Sequence, residues 1–468
     1  MNRAGVLAAA VLVAGTLTPA VAHADPAPSP AAPAPTAPAN TVPAPTAPES
    51  AAPAPGGSAS AEAPAVPHHV LLRGRPSTED ERLRLFQTQR ASDFESTGLY
   101  LPPGGTLEIV SGGTAAPKVW VGDWDSYQKR APRPYQLRNG VNRVTDAGGG
   151  LVYLSLAGAG ETASVTFRGG FQRAPHYVLG RTTPEQWRAM LDERPTPWVE
   201  LVSERTILTL SREAALLYRD EDQGETLRLL DRIVRGHEKV SGLDGSSPLH
   251  APNANRYHLT WVPATRPGVA AYATHHYTAY PPAYMDRLLG VRKLHDNGWG
   301  VWHELGHQFQ QMAYKPGDLT EVTVNLYSLA AQKANGLPSN LVKPDAKTGL
   351  TPYQSALPKL GRAGLDYNKD FGAFEKLVML QQLTLAYGEE FWPKVHRLVR
   401  EERPPSEWDE TATRWRYLAL YTSRVAGHDL SGFYARWGAP LDERARAELA
   451  ALKLPAPTVD PSTLKEGP

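Results

Sequence analysis

Residues 300–312 read Gly-Val-Trp-His-Glu-Leu-Gly-His-Gln-Phe-Gln-Gln-Met, a segment with a strong helical signature. Trp302, Leu305 and Phe309 recur at the three- and four-residue spacing of one face of an α-helix. This pattern predicts a helix through the whole segment, with its apolar face buried. Pro316-Gly317 follow and favour a helix end near that point.

His303 and His307 lie four residues apart within this segment. On a helix this spacing places one ring a turn above the other, so that both can direct a nitrogen at one point. Glu304 leans to one side of that point, where a carboxylate can take a proton from water without binding the metal itself. The HExxH pattern therefore predicts a metal site with an adjacent general base.

A catalytic zinc site needs three protein ligands and one open position. The metzincin pattern would place Gly at position 310 and His at 313, but the chain has Gln310 and Ala313, so that class is excluded. Glu321 follows His307 by 14 residues, which is far enough for a second helix to cross back and supply a carboxylate.

Two further residues bear on Glu321. Asn325 lies one helical turn beyond it, from where its side-chain oxygen could accept the ring N–H of a zinc histidine. Asp318 lies three residues before it, so the pair could instead form a helix-start capping box in which Glu321 only bonds a backbone N–H. The HExxH segment favours the ligand role.

Composition limits the remaining classes of function. The 468 residues include no cysteine, which excludes disulfides, thiolate nucleophiles and sulfur-ligated metal sites. The 49 basic and 48 acidic residues give a net charge of +1, which argues against nucleic acid or an anionic membrane as a partner. Neither a G-x-S-x-G elbow nor a phosphate-binding loop occurs in the required context. Any metal must be held by His, Asp or Glu.

The motif residues resemble a known family. The segment Trp302–Gln308, followed by Glu321-Val322-Thr323, Asn325 and Tyr327-Ser328, is similar to the signature of the enhancin-like, mucin-degrading zinc metallopeptidases, peptidase family M60. That signature is HExxH, a gap, and a glutamate ligand in a motif like EVTxNxYS. Weaker similarity extends over about residues 92–455 and includes the segments Ser96–Gly104, Pro197–Leu201, Ala386–Trp392 and Asp429–Gly438.

The resemblance implies a gluzincin-type endopeptidase with one zinc ion per chain. It assigns the zinc to His303, His307 and Glu321, and makes Glu304 the general base and later the general acid. It also implies an O-glycosylated, mucin-type protein as substrate and a β-domain that packs on the catalytic domain or assists carbohydrate binding. The chain departs from the family at Gln308-Phe309-Gln310, where Asn-His-Gln is commoner.

Peptide hydrolysis usually needs a second donor for the oxyanion. Tyr277 and Tyr280 are candidates for this role or for substrate binding, because they lie in a strand-like segment just before the active helix. Zincins commonly place there the edge strand that pairs with substrate. His275 and His276 in the same segment are either an accessory metal site or ordinary exposed residues.

The beginning of the chain predicts export. Residues 1–24 combine Arg3, an apolar run and Ala22-His23-Ala24, as a signal peptide does; an uncleaved anchor is the alternative. Residues 25–67 hold 13 prolines and 15 alanines with no aromatic, Leu or Ile residue, which predicts a disordered linker. We expect a secreted, extracellular mature protein without a membrane span. The linker is either a spacer associated with the cell envelope or a dispensable leader.

The remaining chain predicts an α+β fold. Over residues 68–175, strand-like segments between turn signals predict a small antiparallel β-sandwich, with Trp120 and Trp124 as either a sugar-stacking surface or core. Residues 176–455 predict a catalytic domain whose strands come first and whose C-terminal half is helical, and 456–468 a tail. The strand-like segments are Thr106–Ile109, Lys118–Val121, Leu151–Leu156, Ser164–Phe167, Trp198–Val202, Thr206–Leu210, Tyr257–Val262 and Val269–Tyr280.

Two other classes of function stay open. One is a glycan-binding adhesin with a vestigial zinc site, and the intact Glu304 argues against it, because a purely structural site needs no general base. The other is a zinc hydrolase acting on a non-peptide amide or ester, which would leave glycoproteins uncleaved.

Overall fold

The computed structural model describes residues 67–124, 130–264, 270–405 and 411–467. The predicted signal peptide (1–24) and the predicted linker (25–67), apart from Pro67, lie outside these residues. None of the helices in the described part of the chain combines the length and apolar character that crossing a membrane requires.

An antiparallel β-sandwich forms the first part, which confirms that prediction. Its first sheet has the order β1-β8-β3-β6 and its second the order β5-β4-β7-β2-β9. The strands are β1 (His68–Arg73), β2 (Glu95–Leu101), β3 (Thr106–Gly113), β4 (Lys118–Val121), β5 (Arg133–Gln136), β6 (Gly140–Thr145), β7 (Gly150–Ser155), β8 (Thr162–Gly169) and β9 (Gln172–Arg173).

The second sheet of the sandwich is covered on both faces. Val152 and Leu154 of β7 belong to the core between the two sandwich sheets. Leu151 and Tyr153 point the other way, into a cluster shared with the catalytic sheet. Because successive side chains of a strand face opposite sides, a strand covered twice needs apolar residues at consecutive positions. The continuous apolar run seen in the sequence has this origin.

The tryptophans of the sandwich serve packing. Trp124 is 8% exposed and belongs to the cluster shared with the catalytic sheet. Trp120 is half-buried, and its Nε1 donates to Ser155 Oγ at 2.9 Å. Both rings pack on Phe94, with centroids 5.2 and 6.3 Å away. Of the two interpretations of these tryptophans, the structure supports core.

A six-stranded mixed sheet follows, in the order β10-β11-β12-β13-β15-β14. Its strands are β10 (His176–Val178), β11 (Trp198–Val202), β12 (Thr206–Ser211), β13 (Tyr257–Trp261), β14 (Tyr272–Thr274) and β15 (Tyr277–Tyr280). Residue 269 of the strand predicted over 269–280 lies outside the described residues. The rest of that segment holds a tight hairpin of β14 and β15, since His276 adopts a left-handed conformation with φ of 77°. This hairpin puts β14 at the edge of the sheet.

Helices cover the other face of this sheet and build the C-terminal half. They are α1 (Thr78–Leu85), α2 (Pro184–Glu193), α3 (Arg212–Leu217), α4 (Gln223–Val240), α5 (Met285–Leu289), α6 (Val291–Asn297), α7 (Trp299–His307), α8 (Thr320–Thr323), α9 (Asn325–Ala334), α10 (Pro352–Ala356), α11 (Tyr367–Asp370), α12 (Ala373–Tyr387), α13 (Phe391–Glu402), α14 (Thr411–Ala426), α15 (Ser431–Arg436) and α16 (Glu443–Ala451). The α+β fold class is thereby confirmed.

Two segments from outside residues 176–455, the predicted catalytic domain, pack on the catalytic helices and sheet. Leu85 and Phe86, at the end of α1, are buried in the two catalytic cores, although α1 precedes most of the sandwich in the chain. The segment predicted as a tail also packs, because Gln382 of α12 donates to the carbonyls of Ser462 and Leu464 at 2.9 Å.

A buried carboxyl group lies where the sandwich meets the catalytic sheet. Glu200 of β11 is 0% exposed. It accepts hydrogen bonds from Ser96 of the sandwich and from Thr209 of β12, the latter at 3.1 Å. Burial raises the pKa of Glu200 from 4.5 to about 7, although these hydrogen bonds oppose the shift.

We expect this carboxyl group to make folding stability fall as pH rises. A folded-state pKa above the unfolded value stabilises the fold below about pH 4.5, and that contribution is lost as pH rises towards 7. Relative to Glu200→Gln, wild type should lose on the order of 3 kcal/mol of unfolding free energy between these pH values. Urea denaturation of both proteins across this pH range measures the difference in unfolding free energy. A difference that does not change with pH would refute the raised pKa of Glu200.

Candidate metal centre

Helix α7 carries the HExxH residues. Val301, Trp302 and Leu305 are at most 1% exposed and anchor the helix against the core shared with the catalytic sheet. His303 and His307 consequently lie on the face that turns away from these residues, with ring centroids 4.8 Å apart.

The helix is shorter than predicted. It ends at His307 and does not continue to residue 312. Beyond it the chain pairs with residues 86–88: Gln311 forms a β-bridge with Gln87, and the Thr88 N–H donates to the Gln310 carbonyl at 2.9 Å. These long-range bonds replace the intrahelical ones. Phe309 is nevertheless buried, which is why the apolar spacing imitated a longer helix.

Gly306 allows the next helices to approach α7 closely. A Cβ atom at this position would lie 3.0 Å from Tyr327 Cβ and 3.1 Å from Val324 Cγ2. Any larger residue would push α8 and α9 away from α7. The glycine therefore brings Glu321 of α8 beside the two histidines.

The three predicted ligands converge. His303 Nε2 lies 3.2 Å from His307 Nε2 and 2.9 Å from Glu321 Oε2, and His307 Nε2 lies 3.5 Å from the same oxygen. Ligand atoms of tetrahedral zinc, at about 2.0–2.2 Å from the ion, are separated by roughly 3.3 Å. Within the described residues, no other group of three His, Asp or Glu side chains gathers in this way. The distances and the nitrogen and oxygen donors fit zinc.

The close contacts within the cluster shift the pKa values of its members. Burial lowers the pKa of His303, but the hydrogen bond to Glu321 and the nearby carboxylates outweigh it and raise the pKa to about 9. Burial raises the pKa of Glu321, but the neighbouring rings of His303 and His307 outweigh it and hold the pKa well below its ordinary range. These shifts favour a charged Glu321 carboxylate beside the two ring nitrogens.

The second nitrogen of each histidine ring, Nδ1, lies beside the oxygen of a side-chain carboxamide. His303 Nδ1 lies 2.8 Å from Asn325 Oδ1, the position that the sequence suggested for this residue. His307 Nδ1 lies 2.7 Å from Gln310 Oε1. Gln310 was not among the predicted site residues. Its three-residue spacing from His307 is the signal that could have found it.

Glu304 lies beside the ligands without joining them. Its side chain is 8% exposed, and burial raises its pKa. Glu321, by contrast, has a side chain that is 60% exposed, so the ligand cluster opens to solvent on that side. This asymmetry leaves access for water or substrate next to a buried carboxyl group.

The capping-box alternative for Glu321 is wrong. Leu319 caps α8 and makes no side-chain cap bond. The Asp318 carboxylate instead accepts hydrogen bonds from Trp415 Nε1 at 3.1 Å and Asn368 Nδ2 at 2.6 Å.

The predicted substrate residues are closed off from solvent. Tyr277 is 1% exposed and stacks on Trp124 at 4.6 Å, and Tyr280 is 0% exposed. Their role in substrate or oxyanion binding stays a prediction that this burial does not favour. His275 and His276 form no metal group within the described residues. His275 Nδ1 accepts the Arg90 N–H at 3.2 Å, and His276 stacks on Trp124.

Family models match most of the described chain. Residues 170–438 match the model of "Peptidase M60, enhancin and enhancin-like", and residues 76–168 match the "N-terminal domain of M60-like peptidases". Among curated proteins, TRPM8 channel-associated factor 1 of Bos taurus is 26% identical over 76% of this chain and 39% of its own length. TRPM8 channel-associated factor 3 of Mus musculus is 26% identical over 83% and 42%. The chain spans about two fifths of the length of these relatives.

Solved structures share the fold. A conserved protein of unknown function from Bacillus anthracis is 30% identical, with a TM-score of 0.77 over 86% of this chain and 82% of that one. The catalytic module of the metalloprotease ZmpA from Clostridium perfringens is 21% identical, with a TM-score of 0.71 over 85% and 81%. The ZmpC catalytic domain from Clostridium perfringens, solved in complex with the sialyl T antigen, is 18% identical, with a TM-score of 0.69 over 86% and 83%.

Proposed function

The chain belongs to the peptidase M60 family, enhancin and enhancin-like, and from this membership we propose that it is a zinc-dependent endopeptidase acting on O-glycosylated, mucin-type proteins. The family resemblance of the motif residues is thereby confirmed. The observation that carries the proposal is the convergence of His303, His307 and Glu321 beside the buried carboxyl group of Glu304.

The residues of the site have two distinct roles in hydrolysis, metal binding and proton transfer. His303, His307 and Glu321 would hold the zinc ion. When bound, zinc lowers the pKa of water and polarises a carbonyl group. Glu304 accepts a proton from the attacking water and then delivers it to the leaving amine. Burial raises the pKa of Glu304, which strengthens its carboxylate as a base.

Support for a glycosylated substrate comes from the family relation. The related ZmpC domain was solved with the sialyl T antigen, and another related metallopeptidase with the Tn antigen. For this chain, glycan recognition would depend on local side chains around the exposed face of the site, because a net charge of +1 provides no general attraction for sialylated substrates.

The test uses one mucin-type glycoprotein in two forms, intact and enzymatically stripped of its O-glycans. The proposal predicts that the purified protein cleaves the intact form and leaves the stripped polypeptide uncut. Equal cleavage of both forms would refute the substrate class. Binding of the intact form without cleavage would favour the adhesin alternative, and hydrolysis of only small amides or esters would favour a non-peptide hydrolase.

We also propose that the protein is exported. The support is the signal-peptide pattern before Asp25 and the proline- and alanine-rich segment after it. Mass spectrometry of protein recovered from the culture medium should give an N-terminus at Asp25, and retention of residues 1–24 on cell-associated protein would contradict export.

A further inference from the structure

Gln310 contacts both a zinc-binding histidine and the helix of the third ligand. Its Nε2 donates to the Thr320 carbonyl at 2.8 Å and to Thr323 Oγ1 at 2.9 Å. The Thr323 hydroxyl in turn donates to the Leu319 carbonyl at 3.1 Å, so its oxygen must accept from Gln310. The amide nitrogen of Gln310 is therefore assigned by its partners, and the amide oxygen must face His307 Nδ1 at 2.7 Å.

This orientation decides the protonation of the ring. An amide oxygen can only accept, so Nδ1 of His307 must carry the hydrogen. The lone pair then lies on Nε2, the nitrogen that faces His303 and Glu321. A metal ligand needs this tautomer, and a hydrogen bond to the other nitrogen is what fixes it.

Asn325 repeats the arrangement on the other histidine. Its Nδ2 donates to the Glu321 carbonyl at 2.9 Å while its Oδ1 faces the ring of His303. The two carboxamides thus bond the carbonyls of two consecutive residues, Thr320 and Glu321. Each histidine is joined through one neutral amide to the short helix that carries the third ligand.

Gln310 is itself held in place. Its side chain is 1% exposed, and its backbone carbonyl accepts the Thr88 N–H from the segment between β1 and β2. A buried side chain with all three polar contacts satisfied keeps one rotamer, as a residue that orients a ligand requires.

We propose that Gln310 is a positioning residue that fixes the tautomer and orientation of His307 and couples this histidine to the helix of Glu321. The inference rests on the zinc site of the proposed function but not on its substrate. Zinc affinity is the direct readout, because loss of an outer-shell partner typically weakens metal binding 10–100-fold.

The chain offers a matched control. Gln382 of α12 is 0% exposed, accepts from Trp437 Nε1 at 2.9 Å, and donates to two backbone carbonyls. Gln382→Met and Gln310→Met therefore remove the same number of buried hydrogen bonds, but only the second removes a histidine partner. The melting temperatures of the metal-free variants compare the purely structural cost.

The experiment measures the zinc dissociation constant by competition with a chelator of known affinity. Gln310→Met should weaken zinc binding about 10–100-fold, whereas Gln382→Met should change it less than about twofold. Gln310→Glu keeps an oxygen for His307 Nδ1 but loses both donors, so it should restore zinc affinity while lowering the melting temperature. Visible spectra of the cobalt-loaded proteins check the geometry around the metal.

Three results would overturn the proposal: wild-type zinc affinity in Gln310→Met, an equal loss in Gln382→Met, or no recovery in Gln310→Glu. None of these measurements uses peptidase activity. If zinc binding follows the expected order but no protein is cleaved, the proposed function fails and the role of Gln310 stands.

Discussion

Replacement of Glu304 by glutamine should lower kcat for protein cleavage by about 10²- to 10⁴-fold and leave the zinc content unchanged. Glutamine has the size of glutamate but cannot accept the proton from the attacking water. The three ligand atoms belong to other residues, so the metal should stay bound. The substitution also places a neutral group at a buried position where ionisation is disfavoured, so the fold should not be weakened.

The measurement is cleavage of an O-glycosylated substrate by the wild type and by Glu304→Gln, with metal analysis of both preparations. Glu402→Gln is a control, because Glu402 is an exposed carboxylate that pairs with Arg424 and is no part of the ligand cluster. Undiminished cleavage by Glu304→Gln would eliminate Glu304 as general base. Loss of zinc together with activity would mean that Glu304 acts as a ligand.

Replacement of Glu321 by glutamine should instead remove the metal. The carboxylate supplies the anionic ligand and lies 2.9 and 3.5 Å from the two histidine nitrogens. We expect zinc affinity to fall by more than about 100-fold, beyond the range seen for outer-shell partners, and activity to fall with it. Excess zinc should recover part of the activity, because both histidines and Glu304 remain.

Titration with zinc while cleavage is followed distinguishes this outcome from that of Glu304→Gln, which excess zinc should not rescue. The two substitutions thus separate metal binding from proton transfer. If Glu321→Gln kept wild-type zinc affinity, the third ligand would have to be another residue, and α8 would lose its role in the site.

The local sequence predicted the metal site because its residues lie close together in the chain. Two histidines one helical turn apart, and a glutamate on the next α-helix, leave little freedom once Gly306 lets those helices touch. Asn325 followed from the same reasoning, since it lies one turn beyond Glu321. The metal-ligating function of these residues stays a prediction until zinc is measured.

The features that the sequence did not predict depend on contacts between residues that are far apart in the chain. Helix α7 ends at His307 because residues 86–88 form backbone hydrogen bonds with the following loop. The sequence near residue 308 does not indicate this pairing. Tyr277 looked available to substrate, but the sandwich covers it and Trp124 stacks on it. The sequence predicts that an apolar residue such as Leu85 of α1 is buried. It does not show which hydrophobic core that residue joins.

Diffraction from crystals of the zinc-loaded protein at the zinc absorption edge locates the metal and its ligands directly. We predict one anomalous peak per chain, at about 2.0–2.2 Å from His303 Nε2, His307 Nε2 and a carboxylate oxygen of Glu321, with Glu304 outside bonding distance. A peak held by other residues, or no peak at these three side chains under saturating zinc, would contradict this prediction.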